Sequence, residues 1–206
     1  AVTDAERLNL RVAAHCHAAS GVRNCVDAGV HNLIHCSWLA EDPDDMYDYD
    51  TSVADMIAEK GLFVDPTLAL MHLDKLRNPE RARIRALDRD PEIRFEILRD
   101  MWDRGVKFVT GMDSGMTNAH FDDFAYIPEV MVEKLGISSM DAIVSATQTS
   151  ADCLGILNET GTLEVGKQAD VVVVDGNPLD DITSLHNVKT IVKQGEMIRR
   201  NGENLI

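Results

Sequence analysis

The sequence lacks any apolar run that approaches the roughly 18–20 residues needed to cross a bilayer. It is also short of basic residues, since 20 Lys and Arg stand against 35 Asp and Glu and give a net charge of −15. Such a surface repels both nucleic-acid phosphates and anionic lipids. We therefore expect neither a nucleic-acid partner nor a membrane partner.

Cysteines are few, and none of them shows the C-x-x-C spacing of redox and zinc motifs. The first residues, AVTDAERLNL, also lack a basic segment followed by an apolar one, so no signal peptide is visible. With 45% apolar residues the chain can bury a sizeable core without disulfides. These features predict reduced thiols and a cytoplasmic protein, with disulfide pairing as the alternative. The cysteines are Cys16, Cys25, Cys36 and Cys153.

What the sequence does contain is a regular alternation of strand and helix patterns. An alternating βαβ array requires a parallel sheet with right-handed crossovers, so we predict an α/β fold. Thr51 or Ser52 is the expected cap of the second helix, and Ser138 or Ser139 caps the last. The predicted strands are 11–17, 30–36, 62–70 and 106–113, and the predicted helical segments are 21–29, 52–60, 79–104, 126–135 and 139–154.

The pattern changes after residue 160. From Gly161 onward the chain has short β runs interrupted by Gly and by Asn-Pro, in GTLEVGKQADVVVVDGNPLDDI and VKTIVKQGEMI. Such runs predict a small separate sheet. We therefore predict two domains, 1–160 and 161–206.

Polar side chains stand at the carboxyl ends of three predicted strands. His15 and His17 share one strand face while Cys16 points to the other, and His35 and Asp113 end two further strands. In a parallel α/β barrel these ends form the active-site mouth. Two imidazoles and a carboxylate meeting there suit Zn²⁺ or a similar divalent ion with an open coordination position.

Each of these residues also has a simpler interpretation. His15 and His35 can be buried histidines whose nitrogens are satisfied by neighbours, and His17 can be a hydrogen-bonded rim residue. Asp113 can cap the turn of GMDSG. His120, in the loop after Asp113, either contacts a substrate or merely makes the loop polar.

In these motifs the chain resembles the amidohydrolase superfamily, in particular its imidazolonepropionase-like and prolidase-like branch. The resemblance covers residues 11–200, including a tail like the family's closing segment. It implies strands five to eight of a (β/α)8 TIM barrel, plus part of a small β-sandwich. The matching motifs are the strand ending in His15-x-His17, a second strand ending in His35 twenty positions later, DPT at 65–67 and GMDSG at 111–115.

The resemblance also implies roles for individual residues. His15 and His35 would bind one or two divalent ions, with zinc as the expected metal, and Asp113 would touch the metal and shuttle the proton. His17 would bind substrate. The implied reaction is hydrolysis of a C–N bond in an amide, a dipeptide or a cyclic amide by a metal-activated water. Ala18 stands where deaminases of the superfamily carry a glutamate, which disfavours nucleobase deamination.

One departure from the family pattern is large. The family's first His-x-His motif and the lysine of its fourth strand have no counterpart in this sequence, so the resemblance is to a C-terminal half only. A half barrel exposes open sheet edges. We expect the missing N-terminal half, a second chain or self-association into a homo-oligomer to cover them. The alternative function is a truncated, non-catalytic fragment or assembly half.

Overall fold

The computed structural model describes residues 1–42, 44–78 and 91–205. By contacts the chain forms two compact units, Ala1–Phe121 and Asp122–Ile206. Residues 79–90 of the predicted 79–104 helical segment lie outside the described part of the chain. Within the described ranges no helix is both long and apolar enough to cross a membrane. The division into domains 1–160 and 161–206 stays a prediction.

The first unit contains the predicted parallel sheet. Its four strands pair in the order β1-β2-β3-β4, and every pairing is parallel. Helices connect successive strands, as parallel pairing requires. This confirms the predicted strand–helix array. The elements are α1 (Val2–Arg7), β1 (Ala13–Ala18), α2 (Ala19–Ala28), β2 (Asn32–Leu39), α3 (Thr51–Glu59), β3 (Phe63–Asp65), α4 (Ala69–Arg77), α5 (Pro91–Asp103) and β4 (Lys107–Phe108).

Local sequence explains the long β1–α2–β2 segment. Val22 and Val26 are four positions apart on α2 and fully buried, so one helix face packs into the core. Gly29 ends the helix with φ 72°, a left-handed conformation that glycine adopts without steric cost. In β2 the side chains of residues 35–38 are all buried, as in a parallel strand covered on both faces.

Three local predictions are wrong in detail. The strand predicted over 62–70 ends at Asp65, because Pro66 has no N–H for the ladder, and α4 begins at Ala69. The strand predicted over 106–113 pairs only through Lys107–Phe108. The cap of α3 is Asp50, whose side chain accepts from the backbone N–H groups of Ser52 and Val53. Asp50 satisfies two of the helix's otherwise unpaired donors.

The second unit carries the predicted small sheet, which is antiparallel in the order β5-β6-β7-β8. Ser138 caps α7 as predicted by accepting from the Asp141 N–H at 3.1 Å. A short π-helical stretch over Ser145–Thr149 lies between α7 and α8. The elements are α6 (Tyr126–Leu135), α7 (Ser139–Val144), α8 (Ser150–Leu154), β5 (Val171–Val174), a 3-10 helix (Ile182–His186), β6 (Val188–Lys193), β7 (Glu196–Arg200) and β8 (Glu203–Asn204).

Candidate metal centre

Three histidines from β1 and β2 form one compact cluster. The ring centroids of His15 and His17 lie 4.4 Å apart, and each lies 4.5 Å from the ring of His35. The rings of His17 and His35 are stacked, whereas His15 meets both of them edge-on. Cys16 points to the opposite face and is buried, as strand alternation predicts.

Hydroxyl groups hold two of the rings. Nδ1 of His17 lies 2.9 Å from Oγ of Ser37, and Nδ1 of His35 lies 2.9 Å from Oγ1 of Thr67. These hydrogen bonds leave the Nε2 atoms of both rings for another ligand. One nitrogen from each of the three histidines lies within 4.8 Å of the other two. A cluster of three imidazoles, two of them held through their second nitrogen, fits a divalent metal ion.

The cluster opens into a cavity of about 320 Å³. Asp113 lines this cavity together with the three histidines, so the predicted ligands His15, His35 and Asp113 lie at one place. His120 is exposed and is not among the described residues that line the cavity. The structure therefore gathers four of the five predicted site residues.

The surroundings of His17 and His35 favour the neutral form of both rings, because they lower the pKa of each. Burial is the main cause that lowers the pKa of His35 to about 4, and the neighbouring rings of His17 and His15 lower this pKa further. Burial also lowers the pKa of His17, followed by the charges of His15 and Arg94. Asp113 acts in the opposite direction on the pKa of both rings. Neutral imidazole is the form that binds a metal.

The backbone around the cluster is strained. β2 uses four residue steps, from His35 to Leu39, where its partner β1 uses two, from Cys16 to Ala18. Such a bulge bends a strand and re-aims its side chains. Left-handed φ angles, uncommon outside glycine, occur here at 66° for His35 and 45° for Cys36. Strain of this kind concentrates at functional sites.

A carboxylate fixes the segment that carries Asp113. Oδ1 of Asp65 accepts from the N–H of Gly111 at 2.9 Å and from the N–H of Thr67 at 3.2 Å. A Cβ on Gly111 would lie only 1.8 Å from Oδ2 of Asp65, so glycine alone fits at this position. Burial raises the pKa of Asp65 to about 6 despite these two hydrogen bonds. The DPT motif, through Asp65, and the GMDSG motif, through Gly111, therefore contact each other.

The loop after Asp113 is anchored through Asn118. Its side-chain amide donates to Asp74 on α4, and its backbone oxygen accepts from Arg77 at 2.6 Å. Between Asp113 and Asn118, Met116 and Thr117 form part of the cavity wall.

Sequence reasoning missed three residues of this site. Ser37 and Thr67 are ordinary polar residues in sequence, and their contacts with the histidines span 20 and 32 positions. Arg94, also in the cavity wall, lies in a segment with many arginines and acids, where the pattern predicts a solvated helix face. The strand-end rule could have identified Thr67, which follows β3 by two positions.

Fold and site together define an α/β protein with an imidazole cluster beside strands of a parallel sheet. The sequence model of the amidohydrolase family matches residues 1–198 of the chain. The chain therefore belongs to this family.

Three relatives illustrate the similarity. The chain is 25% identical to ochratoxinase from Aspergillus niger over 209 residues, which cover 98% of this chain and 40% of that protein. It is 28% identical to imidazolonepropionase from Brevibacillus brevis over 110 residues, covering 50% of this chain and 25% of the relative. The crystal structure of a Xaa-Pro dipeptidase with bound methionine superposes with a TM-score of 0.81 at 27% identity, covering 96% of this chain and 47% of that one. The chain thus spans less than half the length of these relatives.

Proposed function

We propose that this chain is the C-terminal half of a (β/α)8 barrel, strands five to eight, in a metal-dependent hydrolase of C–N bonds. The observation that carries the proposal is the His15–His17–His35 cluster, which lies in one cavity with Asp113. Family membership over residues 1–198 supports the same conclusion. In this proposal domain 1–160 is the half barrel, and 161–206 completes a small β-sandwich.

His15, His35 and Asp113 would hold the metal, for which zinc fits the nitrogen-rich donor set. A bound divalent ion lowers the pKa of water from about 15.7 to about 7 and polarises a carbonyl. Ser37 and Thr67 keep the two rings oriented through Nδ1. His17 lies beside the ligands, where its ring can contact substrate.

Asp113 is the group placed to move the proton. Its carboxylate lines the cavity beside the histidines and can accept a proton from the attacking water. The same carboxylic acid can then protonate the leaving nitrogen, which must carry a proton to depart. His120, exposed and outside the cavity wall, would contact only the part of a substrate that extends along the loop.

The proposed substrates are small amides, dipeptides or cyclic amides. A relative named as a Xaa-Pro dipeptidase supports a dipeptide-like substrate. Leu70, Met71 and Met116 line the cavity and contribute apolar surface suited to a side chain of such a substrate.

The second candidate is a non-catalytic half that works only in an assembly. The matched region spans 40% of ochratoxinase and 47% of the dipeptidase. In that case another barrel half, or a second copy of the chain, would supply the remaining ligands.

One experiment separates the two candidates. Bound zinc per chain and hydrolysis of dipeptides and N-acyl amino acids are measured for the chain alone and for the chain mixed with a complementary N-terminal barrel half. The hydrolase candidate predicts zinc bound to the chain alone and turnover once the other barrel half is added. The assembly-half candidate predicts neither zinc nor turnover without that half. Stoichiometric zinc and turnover by the chain alone would exclude the assembly-half candidate, whereas neither zinc nor turnover in the mixture would exclude the hydrolase.

A further inference from the structure

Arg94 is a buried cation next to the histidine cluster. It lies on α5, its side chain lines the cavity, and it is only 5% exposed. Within the described part of the chain, its Nε has no hydrogen-bond partner. Burying a guanidinium is costly unless its hydrogen bonds serve a purpose.

Nη1 of Arg94 donates to the sulfur of Met71 on α4 at 3.7 Å, and the two hydrogen bonds of Nη2 converge on the ends of two strands. Nη2 donates to the backbone oxygen of His35 at 3.2 Å and to that of Pro66 at 2.6 Å. His35 belongs to the bulge of β2, and Pro66 directly follows β3. A single nitrogen therefore ties the two strands together where each leaves its regular ladder.

The two backbone oxygens that Arg94 binds flank the hydrogen bond that orients the His35 ring. Thr67, which follows Pro66, places Oγ1 at 2.9 Å from Nδ1 of His35. His35 and Thr67 both have left-handed backbones, with φ angles of 66° and 46°. Arg94 thus holds the two strained peptides on either side of the His35–Thr67 bond, and its loss would leave two buried carbonyl oxygens without this donor.

We propose that Arg94 is a positioning residue for His35, acting through the backbone oxygens of residues 35 and 66 to fix the orientation of the imidazole ring. That this orientation serves metal binding rests on the proposed function. The positioning itself does not, because it is a property of the metal-free chain.

The test compares Arg94→Met and Arg94→Lys with Leu98→Ala. Leu98 lies on the same helix and is fully buried, and its apolar side chain gives no hydrogen bond to the backbone oxygens of residues 35 and 66, so its truncation destabilises the fold while those hydrogen bonds remain. Histidine-ring ¹H–¹⁵N correlation spectra of the metal-free chain report the tautomer and environment of His35, and thermal unfolding reports stability. Zinc affinity is then measured by chelator competition in the chain mixed with its complementary N-terminal half.

We expect one dominant His35 tautomer in the wild type and in Leu98→Ala, and an averaged signal in Arg94→Met. Zinc affinity should fall 10–100-fold in Arg94→Met, as for other residues that orient metal ligands, and less in Arg94→Lys, which keeps a single donor. If Arg94→Met does not fold, Arg94→Lys is compared with Leu98→Ala by the same spectra.

Wild-type His35 signals in the Arg94 variants would overturn the proposal. The same signal change in Leu98→Ala at an equal loss of thermal stability would overturn it as well, since Arg94 would then act only on stability. Absence of zinc binding by the wild-type mixture would refute the proposed function, while the ring spectra would still decide the role of Arg94.

Discussion

The two halves of the parallel sheet position their polar side chains by different means. In β1 and β2, strands of 6 and 8 residues that we call the ladder half, all three histidines lie within a strand, and His15 and His35 are in the paired register. In β3 and β4, strands of 3 and 2 residues, Thr67 and Asp113 lie beyond the last paired residue. There the backbone is held by the Asp65 carboxylate in place of ladder hydrogen bonds. The comparison teaches that strand pairing brings the imidazoles together before hydroxyl groups orient two of the rings, whereas the segment of the carboxylate is held by a side-chain contact in place of strand pairing.

The largest effect should come from removing a histidine of the ladder half. His35→Asn should abolish metal binding while the chain keeps its fold, because asparagine tolerates the left-handed backbone at this position. Bound zinc is measured after dialysis, with circular dichroism as the check on folding. His186→Asn, in the second unit, is the control and should bind metal like the wild type. Full zinc occupancy in His35→Asn would remove His35 from the site.

The second prediction concerns β3, β4 and the segments that follow them, which we call the loop half. There Asp113→Asn should keep the metal and lose turnover by about 10²–10⁴-fold, because an amide cannot accept the proton. Both quantities are measured on the mixture with the complementary barrel half. Wild-type turnover in this variant would contradict the shuttle role, and lost metal would make Asp113 chiefly a ligand.

Acid should lower the free energy of unfolding of the metal-free chain through His35, which lies on β2. The folded-state pKa of His35 is about 4 against an ordinary value of 6.5, so its contribution is intact above pH 6.5 and is lost as the pH falls toward 4. The loss should be about 3 kcal/mol at most. Asp65, whose pKa is raised, has the opposite pH dependence in wild type and variant alike.

Urea unfolding of the wild type and His35→Asn at pH 7.5 and 4.5, with chelator present, isolates this contribution. The free energy of unfolding should fall more steeply with acid in the wild type. Equal pH dependence in the two proteins would show that His35 titrates normally in the fold.

The smallest effect tests the side-chain contact of the loop half. Gly111→Ala places a methyl group against the Asp65 carboxylate and should lower the free energy of unfolding by about 1–3 kcal/mol. Ala substituted at Gly21, whose Cβ would meet only ordinary packing at 3.8 Å from Cys16, is the matched control. Urea unfolding measures both, and equal stability of the two variants would mean that the Asp65–Gly111 contact is loose.

The contrast between the ladder half and the loop half also explains which features of the fold and site can be predicted from the sequence. Strand alternation predicts that His15 and His17 share a face, and the periodic apolar residues and Gly29 predict α2, because these signals are local. Pro66 is a local signal for the end of β3, whereas the shortness of β4 has no local signal, because Asp65 and Gly111 meet across 46 positions. The bulge of β2 and its strained φ angles have no local signature, and neither do the contacts of Ser37, Thr67 and Arg94.

The anchoring of Asn118 to α4 has a consequence for how such a cavity can diversify. Asp113 is held on one side by the Gly111–Asp65 contact, and the loop is tied again at Asn118. Met116 and Thr117, between these two anchors, face the cavity without holding either end. Under the proposed function, exchanging them would reshape the wall while the Asp113 carboxylate stays in place, so a new preference for leaving groups would arise there at little cost to the proton transfer.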